Sequence, residues 1–473
     1  MRNPGSWLLS LPVLVAIVLA GWAIVAASPT GAASFNVLAY LLANLVVMVD
    51  VLDFAVRIYL GRIETHGSEA RGETSVALDT QALTPQQKRI HVRPYAIVVS
   101  VYNAEDHLDD FLEEMRPYRN RVWVIDDGST DNTIVRLRQA GWRCIEGEVN
   151  RKKPGAIRVL LDKLPPEIET VMVTDPDISI RSSGESAYLD DILFDFQRSG
   201  MDAMCPRVAV KEDGFLARFQ SLEYCIGFSL GRRSLGNCSI TSGVALYRRR
   251  ALEDVMRQHS LSVYAEDLEN TLILLGGGHR IYYDGRLVVE TAGKRHWGEW
   301  FSQRVGWFYG LIRVYVARFG DVRRAGARRF IAAYHYLVYT GVFCLLLHPL
   351  KLVSLALVFL SLANGLDGLF GLNIVPDTSV THPAYFFAVF AKYLAFCLVA
   401  FYTVVPRRER LYVLPAVPLY VFYALAQLVP IAVGYVNWFT LKLWRRRIYR
   451  DHYEDEASWL PQKRRLANSP MEA

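Results

Sequence analysis

The sequence predicts an α/β domain on a doubly wound, mostly parallel sheet, joined to an α-helical transmembrane part. Three observations carry this. Uncharged apolar runs crowd both ends of the 473-residue chain, while the middle, from about Arg62 to Arg329, reads like a soluble domain. Within that middle, short apolar runs of strand length alternate with segments of helical period. Polar clusters follow directly on the ends of those runs, where sheets of this kind bind ligands.

The length exceeds one compact domain. A 52% hydrophobic content, so unevenly spread, excludes both a wholly soluble and a disordered chain. The six cysteines stand singly with no CxxC pair. That argues against a disulfide scaffold or a zinc site and fits a reducing compartment. Of the 53 basic residues 43 are arginines, many beside the apolar runs. They point to lipid headgroups, and no nucleic-acid partner is expected.

A helix crossing the hydrocarbon core needs about 20 apolar residues. Leu8–Ala27 has that length without a charge, and Phe35–Leu60 supplies a second run. A secretory signal is the alternative for the first, but signal cores run only about 7–15 residues. The turn between the runs lacks Lys and Arg, whereas Arg57, Arg62 and Arg71 follow, so the middle domain is expected in the cytosol. Further spans are expected near Phe330–Leu347, Leu352–Phe370, Ala384–Val405 and Leu411–Pro430. Four crossings return the basic Trp444–Arg447 stop to the cytosol but leave Arg407, Arg408 and Arg410 outside; three would export the larger cluster. Phe215–Leu230 and Trp300–Arg329 are apolar but too charged to span. They read as amphipathic helices at the bilayer surface, or as core helices of the soluble domain. The expected organisation is a transmembrane hairpin (1–62), a polar linker (63–94), a cytosolic domain (95–298), interface helices (299–329), membrane helices (330–444) and a basic cytosolic tail (445–473).

In the cytosolic part, Tyr95–Val101, Arg121–Ile125 and Thr170–Val173 read as strands. Helical periodicity falls on Glu105–Met115, Asp131–Gln139 and Gly155–Lys163. Asp175 and Asp177, after the third strand, can hold a hard divalent cation that also touches a diphosphate, although solvated turns carry the same pattern. The Asp126-Asp127-Gly128-Ser129 turn can accept the imide N–H of a uracil, or simply cap a helix through Asp131 or Thr130. Lys153 and Gly155 open a helix whose N–H groups favour phosphate; the alternative is a solvated basic turn. Ser242–Arg248 reads as a glycine-containing turn entering a strand. Asp267, beside Glu266, is a candidate general base or an N-cap. Trp307, after Gln303, offers a face for a sugar ring or anchors the helix at the interface.

The order of these motifs resembles the membrane-integrated, inverting glycosyltransferases of family two. The nearest group is the processive polysaccharide synthases, such as the cellulose, hyaluronan, chitin-oligosaccharide, curdlan and alginate polymerases. The ordered set is DDG at Asp126, K-x-G at Lys153, D-x-D at Asp175, S-G-x-x-x-x-R at Ser242, E-D at Glu266 and Q-x-x-x-W at Gln303. The resemblance implies a GT-A-like nucleotide-diphospho-sugar transferase domain. It implies nucleotide-sugar contacts at Tyr102, Glu105, Asp126, Asp127 and Lys153, and a divalent metal (Mg2+ or Mn2+) at Asp175 and Asp177. A catalytic base at Asp267, a donor–acceptor contact at Gln303 and acceptor stacking on Trp307 complete the set. Two positions depart from the family: Gly306 stands where arginine is expected, and Ala265 where threonine is.

The implied reaction is one in-line displacement from a nucleotide-sugar, a UDP-sugar by analogy, onto a growing polysaccharide that leaves through the membrane. The expected setting is a multi-pass bacterial inner-membrane protein in contact with the lipid bilayer, with accessory export or regulatory subunits as possible partners. Two other readings are a single-sugar transfer to a lipid acceptor and a non-catalytic export or assembly subunit.

Overall fold

The structure, a computed structural model, describes residues 52–53, 55–57, 59, 74–76, 83–180, 187–211, 214–372, 383–446 and 448–449. The expected span Leu8–Ala27, most of Phe35–Leu60 and the tail beyond Tyr449 lie outside the described residues.

The sheet comprises β1 (Tyr95–Val101), β2 (Val122–Asp126), β3 (Cys144–Glu146), β4 (Thr170–Thr174), β5 (Ile178–Ile180), β6 (Ala203–Val210), β7 (Ala245–Arg248) and β8 (Ile281–Thr291), in the order 3-2-1-4-7-6-8-5. Its first half is parallel, as expected, with β1 flanked by β2 and β4 and β2 by β3. The other half is mixed, within a sheet whose pairings stay predominantly parallel. There β7 runs antiparallel to β4 and β6, β8 is parallel to β6, and β5 is antiparallel to β8.

The strand pleat divides the core into two layers. Ile97, Val99 and Val101 of β1 face Leu108, Phe111, Leu193 and Phe196, while Ala96 and Val98 face Ile157, Leu160, Leu252 and Leu272. Burial on both faces explains why β1 reads as an unbroken apolar run. The expected linker has more structure than its composition suggested. A capping box of Thr84 and Gln87 starts a helix at Pro85–His91. Ser75 also pairs with Tyr283 of β8 and donates its hydroxyl to the Gly236 carbonyl (2.7 Å).

Among the described residues two helices are long and apolar enough to cross a membrane, His348–Phe370 and Arg407–Trp444; Phe330–Leu346 and Val389–Val404 are shorter. The last expected span is longer than Leu411–Pro430, because Pro430 sits in the first turn of Leu428–Trp444, where its missing N–H costs nothing. Both amphipathic stretches are helical, Gly214–Tyr224 with a π-helical continuation to Arg232, and Trp297–Ala317 followed by Phe319–Arg328. They form a docking layer: Leu216, Phe219, Leu222 and Trp300 share a core with Phe401, Val417, Tyr420 and Tyr423.

That layer also bears on the arginines that resisted the crossing count. Glu409 receives a hydrogen bond from Arg207 of β6 (2.5 Å), and the Tyr412 hydroxyl donates to the Gly214 carbonyl (3.1 Å). The turn holding Arg407, Arg408 and Arg410 therefore lies against the α/β domain. Tyr449, beyond the end of the last helix, meets Phe301 and Ser302.

Candidate active site

The carboxyl end of β4 delivers Asp175 and Asp177, and the neighbouring start of β7 delivers Gly243. Helix Lys152–Lys163 places Lys153 between them: its Nζ lies 2.5 Å from Asp175 Oδ1, 3.6 Å from Glu266 Oε1, and donates to the Gly243 carbonyl at 3.0 Å. A Cβ at Gly243 would stand 2.9 Å from Asp175 Oδ2, so a larger residue there would push that carboxylate aside. Glu266 and Asp267 open the helix Glu266–Gly277. Its first turn is anchored through the Asp267 carbonyl, which accepts from Thr241 and Thr271, both at 2.8 Å.

Negative charge exceeds positive charge here. Burial works against the Lys153 ammonium, but Asp175 and Glu266 outweigh it and hold the lysine protonated far above its usual range. Burial pushes the Glu266 carboxyl up to about 7, against the pull of Lys153 and with the repulsion of Asp267 and Asp175. The Asp267 carboxyl is also raised, chiefly by burial, with the Arg232 charge opposing. Partial enclosure and then the like charge of Asp175 raise Asp177, whose edge stays open to water. Among the described residues no group of three or more His, Cys, Asp or Glu side chains is arranged to hold a metal ion. Two carboxylates in a cluster with surplus negative charge do fit a cation that completes its shell with phosphate oxygens.

The β2 end forms the other wall. Asp126 is buried; its Oδ2 accepts from the Ser129 amide (3.2 Å), and its Oδ1 has no hydrogen-bond partner. Asp127 accepts from the Arg151 amide (2.8 Å), and burial raises its carboxyl to about 6 against that bond. Tyr102 is exposed at the end of β1. Glu105 instead braces the next turn, accepting from the amide and side chain of Asn132 (3.2 and 3.0 Å). Neither Asp131 nor Thr130 is the N-cap of the helix Thr133–Gln139: Asn132 stands there without a side-chain cap bond, and Asp131, one residue outside, accepts from Thr133 N (3.0 Å).

Helix Trp297–Ala317 closes the site. Gly310 packs on Ala265, and a Cβ there would come within 3.0 Å of the Ala265 Cβ and N. Trp307, 36% exposed, lies one turn earlier on the same helix. Gln303 is half-buried one turn before Trp307. Arg304, two residues before Gly306, donates to Glu223 Oε2 at 2.6 Å. Glu266 and Arg232 are parts of the site that single motifs do not reveal. Each owes its place to folding, Glu266 by meeting Lys153 and Arg232 by its charge reaching Asp267.

Residues 96–256 match the family model described as glycosyl transferase family 2, so the α/β part of this chain carries a domain of that family. No curated protein matches the sequence. Among solved structures the chain is similar to a mannosyltransferase from Pyrobaculum calidifontis in complex with GDP-Man and Mn2+, at 16% identity and a TM-score of 0.47, over 86% of this chain and 100% of that one. It is also similar to glucosyl-3-phosphoglycerate synthase from Mycobacterium tuberculosis in complex with Mn2+, UDP-glucose and phosphoglyceric acid. That likeness has 17% identity and a TM-score of 0.35, over 51% of this chain and 86% of the other.

Proposed function

We propose that the protein is a membrane-embedded, inverting glycosyltransferase that adds a sugar from a nucleotide-sugar to the end of a growing polysaccharide and exports the product. The observation that carries this reading is the convergence of Lys153, Asp175 and Glu266 from three separate elements, with Asp267 beside them. A structural turn needs no such surplus of half-buried carboxylates.

In this reading the open Oδ1 of Asp126 accepts the imide N–H of a uracil, with Asp127, Tyr102 and Glu105 bordering the nucleotide. Asp175 and Asp177 would hold Mg2+ or Mn2+, which when bound neutralises charge on a diphosphate. Lys153 adds a permanent positive charge beside them. Asp267 takes the proton of the acceptor hydroxyl, whose oxygen attacks the anomeric carbon as the bond to the diphosphate breaks and the electron pair leaves with the phosphate. One displacement inverts the anomeric centre. Burial favours Asp267 as a base by raising its affinity for that proton. Trp307 stacks the acceptor sugar and Gln303 borders it. The apolar helices cross a bacterial inner membrane, with residues 407–412 and the α/β domain on its cytosolic face. The Arg207–Glu409 contact supports that placement.

Gly306 favours a second reading, in which the missing arginine marks a different acceptor and a single sugar passes to a lipid. Purified protein incubated with radiolabelled UDP-glucose and UDP-N-acetylglucosamine separates the two. A high-mass, glycosidase-sensitive product is expected, whereas label confined to an organic-extractable glycolipid supports the second reading. No transfer from these donors or from a wider nucleotide-sugar panel would end both.

A further inference from the structure

Resting on the reading of Trp307 as the acceptor platform, we propose that Arg304 is the residue that positions the acceptor. Its guanidinium backs the Trp307 indole and fixes the attitude in which a sugar ring stacks. Arg304 is fully buried, and its Cζ stands 4.1 Å from the centroid of the Trp307 ring and 5.9 Å from that of Trp300. Nη2 donates to Glu223 Oε2 at 2.6 Å and to the Tyr423 hydroxyl at 3.5 Å. That hydroxyl donates to the same Glu223 oxygen at 2.5 Å and accepts from Trp300 Nε1 at 2.9 Å. Phe219 stacks on Tyr423 at 5.3 Å, with the rings within 8° of parallel. The charge behind Trp307 is thus tied to the α/β domain through Glu223 and to the C-terminal helices through Tyr423.

The indole is part of what holds the arginine, as well as the reverse. Nε and Nη1 of Arg304 have no hydrogen-bond partner, a costly state for a buried cation. The faces of the Trp307 and Trp300 rings offset it, with the Tyr224 hydroxyl beside the guanidinium. Residues 300, 304 and 307 lie on one helix face, whereas position 306 points elsewhere, so an arginine there would serve a different contact. With Gly306 in place, the only arginine between Gln303 and Trp307 lies behind the platform and not over the donor. Trp307 keeps its other face open, with 36% of its surface exposed.

The test uses the full-length protein, the nucleotide-sugar that is turned over in the product assay, and an acceptor primer of the type that assay yields. Arg304→Met is expected to raise the acceptor KM at least tenfold while donor KM and acceptor-free donor hydrolysis stay within about twofold of the parent. Arg304→Lys, which keeps a cation over the ring, should recover part of the loss. Should Arg304→Met fail to fold, Tyr423→Phe removes only the hydroxyl that steadies the pair and should raise the acceptor KM about two- to fivefold. An unchanged acceptor KM in a folded variant, or a loss shared equally by donor hydrolysis and transfer, overturns the assignment. If the parent protein itself transfers no sugar, the underlying functional reading fails first, and that outcome is separate from these.

Discussion

Charged side chains are buried in two regions of this molecule, and they are balanced differently. In the docking layer two buried guanidiniums have a carboxylate each, Arg207 with Glu409 at 2.5 Å and Arg304 with Glu223 at 2.6 Å. In the cleft at the strand ends, among the described residues, Lys153 pairs directly with two carboxylates, Asp177 and Asp267 stand beside them, and the Arg232 charge reaches Asp267. Balanced pairs hold elements together, because each charge offsets the desolvation of the other. A cluster left short of positive charge stores a demand that a ligand or cation meets. Surplus charge, more than burial, therefore marks the site.

Removing charge should have opposite consequences in the two regions. The largest expected effect is in the cleft: Asp267→Asn should lower kcat by about 10^2–10^4-fold while leaving folding intact. Initial-rate assays beside thermal unfolding would check this, and persistent turnover would move the base role to another carboxylate. In the docking layer Arg207→Met alone should cost about 3–5 kcal/mol, whereas Arg207→Met with Glu409→Leu should return to within about 1 kcal/mol of the parent. Unfolding of the detergent-solubilised protein separates these, and an equally damaged double variant would refute a simple pair.

A smaller effect concerns acidity. Glu266 titrates near 7 in the folded chain against an ordinary 4.5, so the folded state binds more protons than the unfolded state between those values. Stability should therefore fall as pH rises from about 4.5 to about 7 and then level off. In EDTA, Glu266→Gln should remove much of that fall and raise stability above pH 7 by on the order of 1–3 kcal/mol. A steeper fall in the variant would contradict the crowding of negative charge. The smallest change is Gly243→Ala, whose Cβ would stand 2.9 Å from Asp175 Oδ2. It should reduce donor kcat/KM about tenfold with stability altered by less than about 1 kcal/mol.

Much of the cleft was legible before folding, for a specific reason. β1 is Tyr95–Val101 as its apolar run predicts, and β2 and β4 end within a residue of expectation. Parallel strands are buried on both faces, so their text is unmistakable, and their carboxyl ends are where the polar clusters begin. The helix Pro85–His91 was also signalled, by Thr84-Pro85 and Gln87, but inside a polar stretch without apolar period. The mixed half of the sheet was not legible. β5 has three residues, and its antiparallel partner β8 lies a hundred residues downstream, beyond any local pattern.

Local chemistry thus determined the strand ends, the order of acidic and basic motifs, and the apolar helices, because each depends on neighbours a few residues apart. Only the tertiary structure decided that Lys153 meets Glu266, that Gly310 packs on Ala265, and that Arg207 holds Glu409 across 202 positions. Charge pairing acts over a few ångströms of space and is indifferent to separation along the chain. Which charge is matched and which is left wanting appears only after the chain has folded.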